Sequence, residues 1–259
     1  LRFPIEHPGQ VLDALKRAYS SRSKLLLIDH VTSGTGLVLP LEEILPWARS
    51  RNLPVLVDGA HAPGMLDLNL DELGVMGATF YTGNFHKWCC SPKGAAFLWV
   101  HPNWHLPVHP TVVSHGYGAE GDRPNLWSEF DWTGTDEHSA WLCAPEAIDF
   151  LGSLVPDGWQ GIRKRNLDLL TEGAAVVDSV LKTGVKPHPR MQGMLWTFPL
   201  QGYPADLGRT LWETEQLDTF VNPCYLGGPP VLRLSAFLYN EIGDYEKLAG
   251  ALKVLRTCH

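Results

Sequence analysis

The chain has 259 residues, 44% hydrophobic and 19% charged, enough apolar material for one large or two modest packed domains and too much for a disordered tail. With 21 basic and 28 acidic residues, the net charge of −7 leaves no basic excess to displace counterions from a phosphate backbone, which argues against nucleic acid as a partner. No apolar run approaches the roughly 20 residues that cross a bilayer, and five cysteines without a Cys-x-x-Cys pair suit a reducing compartment, so a soluble, cytoplasmic protein with no membrane partner is expected.

Leu1 to Pro8 has neither a basic nor an apolar signal region, and the first residue is Leu, so the chain is expected to be processed or part of something longer. Pro8 to Ser20 spaces Val11, Leu12, Leu15 and Ala18 as an amphipathic helix. Lys24 to His30 contains the run Leu25-Leu26-Leu27-Ile28, which reads as a strand buried on both faces and ending in the turn Thr32-Ser33-Gly34-Thr35-Gly36. A helix over Leu41 to Ser50 precedes a second buried strand, Pro54 to Asp58, and the turn Gly59-Ala60-His61. Leu70 to Val75 reads as helix, Ala78 to Thr82 as strand, Gly83-Asn84 as turn and Gly94 to Val100 as a fourth strand.

Alternation at this pitch predicts a mostly parallel α/β sheet with its ligand site beyond the carboxyl ends of the strands. His101 to Trp132, rich in Pro, Gly, His and Trp, reads as a long ordered loop. Helices over Ser139 to Leu151 and Asp157 to Leu181 follow, then strands Met194 to Leu200 and Val231 to Ala236, with helices near Asp206 to Glu215 and Tyr245 to Arg256. The expected organisation is a large-domain portion over residues 1–138, including the long loop, and a smaller α+β domain over 139–259.

The densest polar cluster is Asn84-Phe85-His86-Lys87-Trp88, just past a strand end. A desolvated lysine there loses its proton readily and suits Schiff-base chemistry, whereas a snorkelling surface amine is the plainer reading. Asp58 closes the apolar strand Val55-Leu56-Val57; it is either a turn residue or a carboxylate that keeps a pyridine nitrogen protonated. Arg233 lies within Val231-Leu-Arg-Leu-Ser235 and needs an anion, either a structural carboxylate or a substrate carboxylate. His101, His105, His109 and His115 invite a metal reading, but Pro102, Pro107 and Pro110 break any helix that would align them, so no metal is expected. Cys89-Cys90 reads as packing, and no P-loop pattern occurs.

Val57-Asp58-Gly59-Ala60-His61, His86-Lys87-Trp88, and Arg233-Leu-Ser235 with Tyr239-Asn240 together resemble the class V aminotransferases, fold-type I pyridoxal-phosphate enzymes. Gly83-Asn84-Phe85-His86-Lys87-Trp88 and Pro92-Lys93-Gly94-Ala95 are most similar to the isopenicillin N epimerase-like branch. The resemblance runs from about Ile28 to Tyr245. It implies pyridoxal 5'-phosphate as cofactor, Lys87 as the Schiff-base lysine and Asp58 as the partner of the pyridine nitrogen. It further implies His61 beside the phenolic oxygen, Thr82 and His86 near the phosphate, and Thr35 on the cofactor face, although Thr35 also reads as a plain turn residue. Arg233 would grip the substrate α-carboxylate. The segment Trp132-Thr133-Gly134-Thr135-Asp136 resembles a loop that reaches the neighbouring subunit's phosphate, which implies a homodimer.

Family members carry a far longer stretch before the segment matching Ile28 than the 27 residues found here, and that stretch holds the phosphate-cradling turn and the aromatic residue stacked on the pyridine. The expectation is an enzyme acting on an amino acid as an epimerase or a C–S/β-elimination lyase, present as a fragment or shortened isoform. Rivals are an inactive paralogue serving as an interaction or dimerisation module, a cysteine desulfurase-like enzyme, for which no cysteine matches the mobile nucleophile, and a hercynylcysteine sulfoxide lyase.

Overall fold

The computed structural model describes residues 4–118, 125–204, 206–222, 228 and 230–256. Four strands, β1 (Leu26–Asp29), β2 (Val55–Gly59), β3 (Phe80–Asn84) and β4 (Ala96–Val100), form a sheet in that spatial order, with β1, β2 and β3 parallel and β4 antiparallel to β3. Gly83 and Asn84 thus extend β3 and do not turn the chain. Helix α1 (Gly9–Ala18) precedes β1, and α2 (Leu41–Arg49) and α3 (Leu70–Met76) connect the parallel strands.

Register assigns the two faces of this sheet. Ile28, Val57 and Tyr81 are aligned, and with Val55 they enter one core with Leu41, Ile44, Leu45 and Ala48 of α2. The helical spacing of those four α2 residues is what turns one stripe inward, and each fully buried aliphatic side chain contributes about 1.5–3 kcal/mol. Asn69 caps α3 by accepting from the Asp71 and Glu72 amides, an interaction typically worth ~1 kcal/mol.

The opposite face carries Leu27 and Leu56, and beyond them Asp29, Asp58, Thr82 and Leu98 in one aligned row. Leu27 is 64% exposed and Leu98 44%, and Leu25 just before β1 is also exposed. This corrects the reading of Leu25 to Ile28 as buried on both faces: only Ile28 is inside, because no described element packs over this part of β1.

The second sheet comprises β5 (Leu195–Pro199), β6 (Phe220–Asn222) and β7 (Val231–Ser235), all antiparallel, with β7 central. Helices α7 (Gly158–Leu181), α8 (Leu207–Glu215) and α9 (Ile242–Leu255) share a core with Trp196, Phe198, Leu232 and Leu234. Gly173 lets α7 meet α9, since a Cβ there would lie 2.4 Å from Cγ of Tyr245. A third cluster, containing Val31, Trp88, Ile162, Leu195 and Phe237, joins the two sheets.

The expected helix over Ser139 to Leu151 is two, α5 (Ser139–Leu142) and α6 (Ala144–Ser153), because Pro145 lacks the N–H that would continue the first and suits the opening turn of the second. The long loop contains α4 (Asn125–Phe130), while its residues 119–124 lie outside the described set. Helix α9 begins before Tyr245, set by a capping box between Glu241 and Asp244. Strand β6 had no counterpart in the sequence reading. Among the described residues, no helix is long and apolar enough to cross a membrane.

Candidate active site

The parallel strands deliver polar residues to one edge, as the alternation predicted. Asp58 ends β2 in register with Asp29 of β1 and Thr82 of β3, so two carboxylates and a hydroxyl stand on adjacent strands about 4.8 Å apart. The Asp58 Oδ1 accepts the Ala60 amide at 2.9 Å, which pins the carboxylate against its own turn. Burial, reinforced by the Asp58 charge, pushes the Asp29 carboxyl above its ordinary range.

Lys87 is half-buried in the turn that follows β3. Burial lowers its amine from the usual lysine range and Arg233 lowers it further, while Asp58 acts in the opposite direction. His61 is buried, 9% exposed, with its Nδ1 unpartnered. Its pKa falls to about 4 through burial, then Lys87 and Arg233, against the pull of Asp58, so the imidazole is neutral near pH 7. The mutual fields of Asp58, His61, Lys87 and Arg233 place four sequence-selected residues in one electrostatic group.

Arg233 arrives from the second sheet. Strand alternation sends Leu232 and Leu234 into the helix-covered core and leaves Arg233 on the other face, in register with Thr197 and Phe220. Its guanidinium donates to the Ser33 carbonyl and lies 4.2 Å from the Phe220 ring centroid. The facing turn is held close: Thr197 Oγ1 donates to the Gly34 carbonyl at 3.4 Å, and Gly36, at φ +66, has Leu195 Cβ only 2.5 Å from where its own Cβ would stand. Only glycine fits there.

His86, next to Lys87, also has a buried, unpartnered Nδ1. Thr35 is buried with its hydroxyl 2.6 Å from that of Thr32, inside the turn that Arg233 touches. Thr133 and Thr135 are not brought to this group: both are exposed, and Thr133 lines a separate cavity of about 930 Å³ with Leu98, Trp127, Phe130 and Trp141. The four loop histidines are engaged individually, His105 with the Val100 carbonyl and His109 with Glu129 at 2.6 Å among them. Among the described residues no cluster suited to a metal ion occurs. His30 and Tyr81 stand where the sequence puts them, at or just before the ends of the strands flanking Asp58, but the sequence assigns them no role there.

An amine whose pKa burial lowers, a pinned carboxylate, a neutral imidazole with a spare nitrogen and a guanidinium share one another's fields at the carboxyl edge of a parallel sheet, a donor set that could hold pyridoxal phosphate. The sequence profile described as Aminotransferase class-V matches residues 3–215, and the chain belongs to that family of pyridoxal-phosphate-dependent proteins. It is 34% identical to an isopenicillin N epimerase of Streptomyces clavuligerus over 96% of this chain and 64% of that protein. It is 30% identical to a probable chloroplastic L-cysteine desulfhydrase of Arabidopsis thaliana over 98% of this chain and 57% of that one. The fold is similar to that of an apo cysteine desulfurase from Thermococcus onnurineus, with a TM-score of 0.74 at 19% identity over 90% of this chain and 60% of the other. The chain thus spans less than two thirds of the length of these relatives.

Proposed function

We propose that the chain is the Lys87-bearing portion of a pyridoxal-phosphate enzyme that acts on an amino acid by epimerisation or by C–S/β-elimination. The observation that carries this reading is the convergence of Lys87, Asp58, His61 and Arg233 from both sheets on one another's fields. The cofactor, when bound, supplies an electron sink for the bond broken at the α-carbon. Lys87 is the amine that would hold the cofactor at its aldehyde carbon and, once the incoming substrate amine has displaced it, would take or return the α-proton. Asp58 would hold a proton on the pyridine nitrogen, and His61 and His86, each with a buried Nδ1 that lacks a protein partner, would serve the phenolic and phosphate oxygens, with Thr82 in register with Asp58 and Thr35 in the turn that Arg233 touches. Arg233 grips the substrate α-carboxylate.

In this reading residues 1–138 carry the cofactor and 139–259 form the smaller part. Thr133 and Thr135, remote from Lys87 here, reach a neighbouring subunit's phosphate in a homodimer. The described cysteines, Cys89, Cys90 and Cys143, are free thiols, in keeping with a cytoplasmic setting. Incubation with pyridoxal phosphate is expected to give a visible absorbance band that Lys87→Ala abolishes and Asp58→Asn shifts. A wild-type protein that stays colourless while folded overturns the proposal.

The uncovered β1 margin of the four-stranded sheet, at Leu25 and Leu27, favours one second reading, an inactive interaction or dimerisation module. Sedimentation of the colourless protein as a dimer would support it.

A further inference from the structure

Directly beneath Asp58, on the covered face of the sheet, lies a polar pair that the chemistry above does not use. Tyr81 is fully buried, and its ring runs under Gly59 so closely that a Cβ at Gly59 would meet Cε1, Cζ and Oη at 2.1–2.2 Å. The phenol is 2.8 Å from Nδ1 of His30. The His30 amide in turn donates to the Asp58 carbonyl at 2.8 Å, and the His30 carbonyl accepts from Leu39. His30 therefore touches the Asp58 strand end through its backbone and, through Tyr81, supports the residue that follows Asp58. Burial holds both groups neutral, lowering His30 to about 4 and raising Tyr81, so one hydrogen bond satisfies two polar groups that would otherwise be costly inside a core.

We propose that His30 and Tyr81 are positioning residues that clamp the Asp58–Gly59 strand end and so set where the Asp58 carboxylate stands for the cofactor nitrogen. The inference concerns the height and direction of Asp58, and its link to the cofactor rests on the function proposed above. The clamp itself exists with or without the cofactor. The two are separable by experiment.

The first measurement is hydrogen exchange of the Ala60 amide, which reports whether the Asp58 carboxylate is seated, in protein free of cofactor. Tyr81→Phe keeps the ring and removes the hydroxyl. His30→Leu removes the partner, and His30→Gln keeps one. Exchange at Ala60 is expected to speed up about tenfold in Tyr81→Phe and His30→Leu, the size of one lost hydrogen bond, and to stay near wild type in His30→Gln. Amides of α9 such as Leu252 should not change in any of the three. The second measurement is the dissociation constant of pyridoxal phosphate, expected to rise by a similar factor in the same two variants and to be rescued in His30→Gln. Unchanged exchange at Ala60 in Tyr81→Phe and His30→Leu overturns the clamp, as does equal loosening of α9, which would mark mere destabilisation. If wild type takes up no cofactor, the proposed function fails and the exchange result still decides the clamp.

Discussion

Two apolar strands that look alike in sequence have opposite surroundings. In β5, Leu195, Trp196, Thr197 and Phe198 are all buried, Trp196 and Phe198 among the helices of the second sheet and Leu195 and Thr197 against the turn around Gly34. In β1, Ile28 is buried while Leu27 is largely open. An apolar run thus records the wish to be covered, and only the arrangement of other elements decides which face obtains it. The bare face is also the one that carries Asp29, Asp58 and Thr82, so the site opens toward it.

The sharpest test of this contrast is the core itself. Phe198→Ala, which empties a fully buried site in β5, is expected to cost about 3–5 kcal/mol in urea unfolding, enough to unfold a marginal domain.

Acid should loosen the first sheet through its two buried histidines. His30 and His61 both have folded pKa values of about 4 against an ordinary 6.5, so the unfolded chain binds more protons between those values. Stability is then lost as pH falls from about 6.5 to about 4, at up to ~1.4 kcal/mol per pH unit for each histidine, and is unaffected by these groups above 7. Unfolding free energies measured across that interval in wild type and His30→Gln check the sign, and a flat wild-type profile would contradict it.

Smaller effects follow. Gly59→Ala, forced against the Tyr81 ring, is expected to cost about 1–3 kcal/mol, visible as a lower Tm. Arg190→Ala breaks exposed ion pairs with Glu42 and Glu43 that tie α2 to the segment before β5, and should cost no more than about 1 kcal/mol. Leu27→Gln should change stability by less than about 0.5 kcal/mol if the face is bare, and a large loss would show that something covers it.

Much of this was legible from periodicity. The Val55 to Asp58 run, the α2 stripe and the Lys87 turn all come from patterns local to a few residues, and those are where sequence and structure agree. Asp58 and Lys87 were legible as a pair because each sits at the end of a strand whose neighbour is the other's. Long-range facts were not. The two neutral groups under Gly59, 51 residues apart in sequence, give no local sign that they meet. Strand β6 has three residues and owes its existence to pairing with β7. The direction of β4 depends on a short return that a buried run does not announce.

Helix α7 runs 24 residues, about 36 Å at 1.5 Å per residue. Near its start Ile162 packs in the cluster that holds Trp88, the neighbour of Lys87, and its later turns belong to the core of the second sheet. One continuous rod therefore runs from the packing beside the Lys87 turn into the core behind Arg233, so the two regions share a single rigid strut.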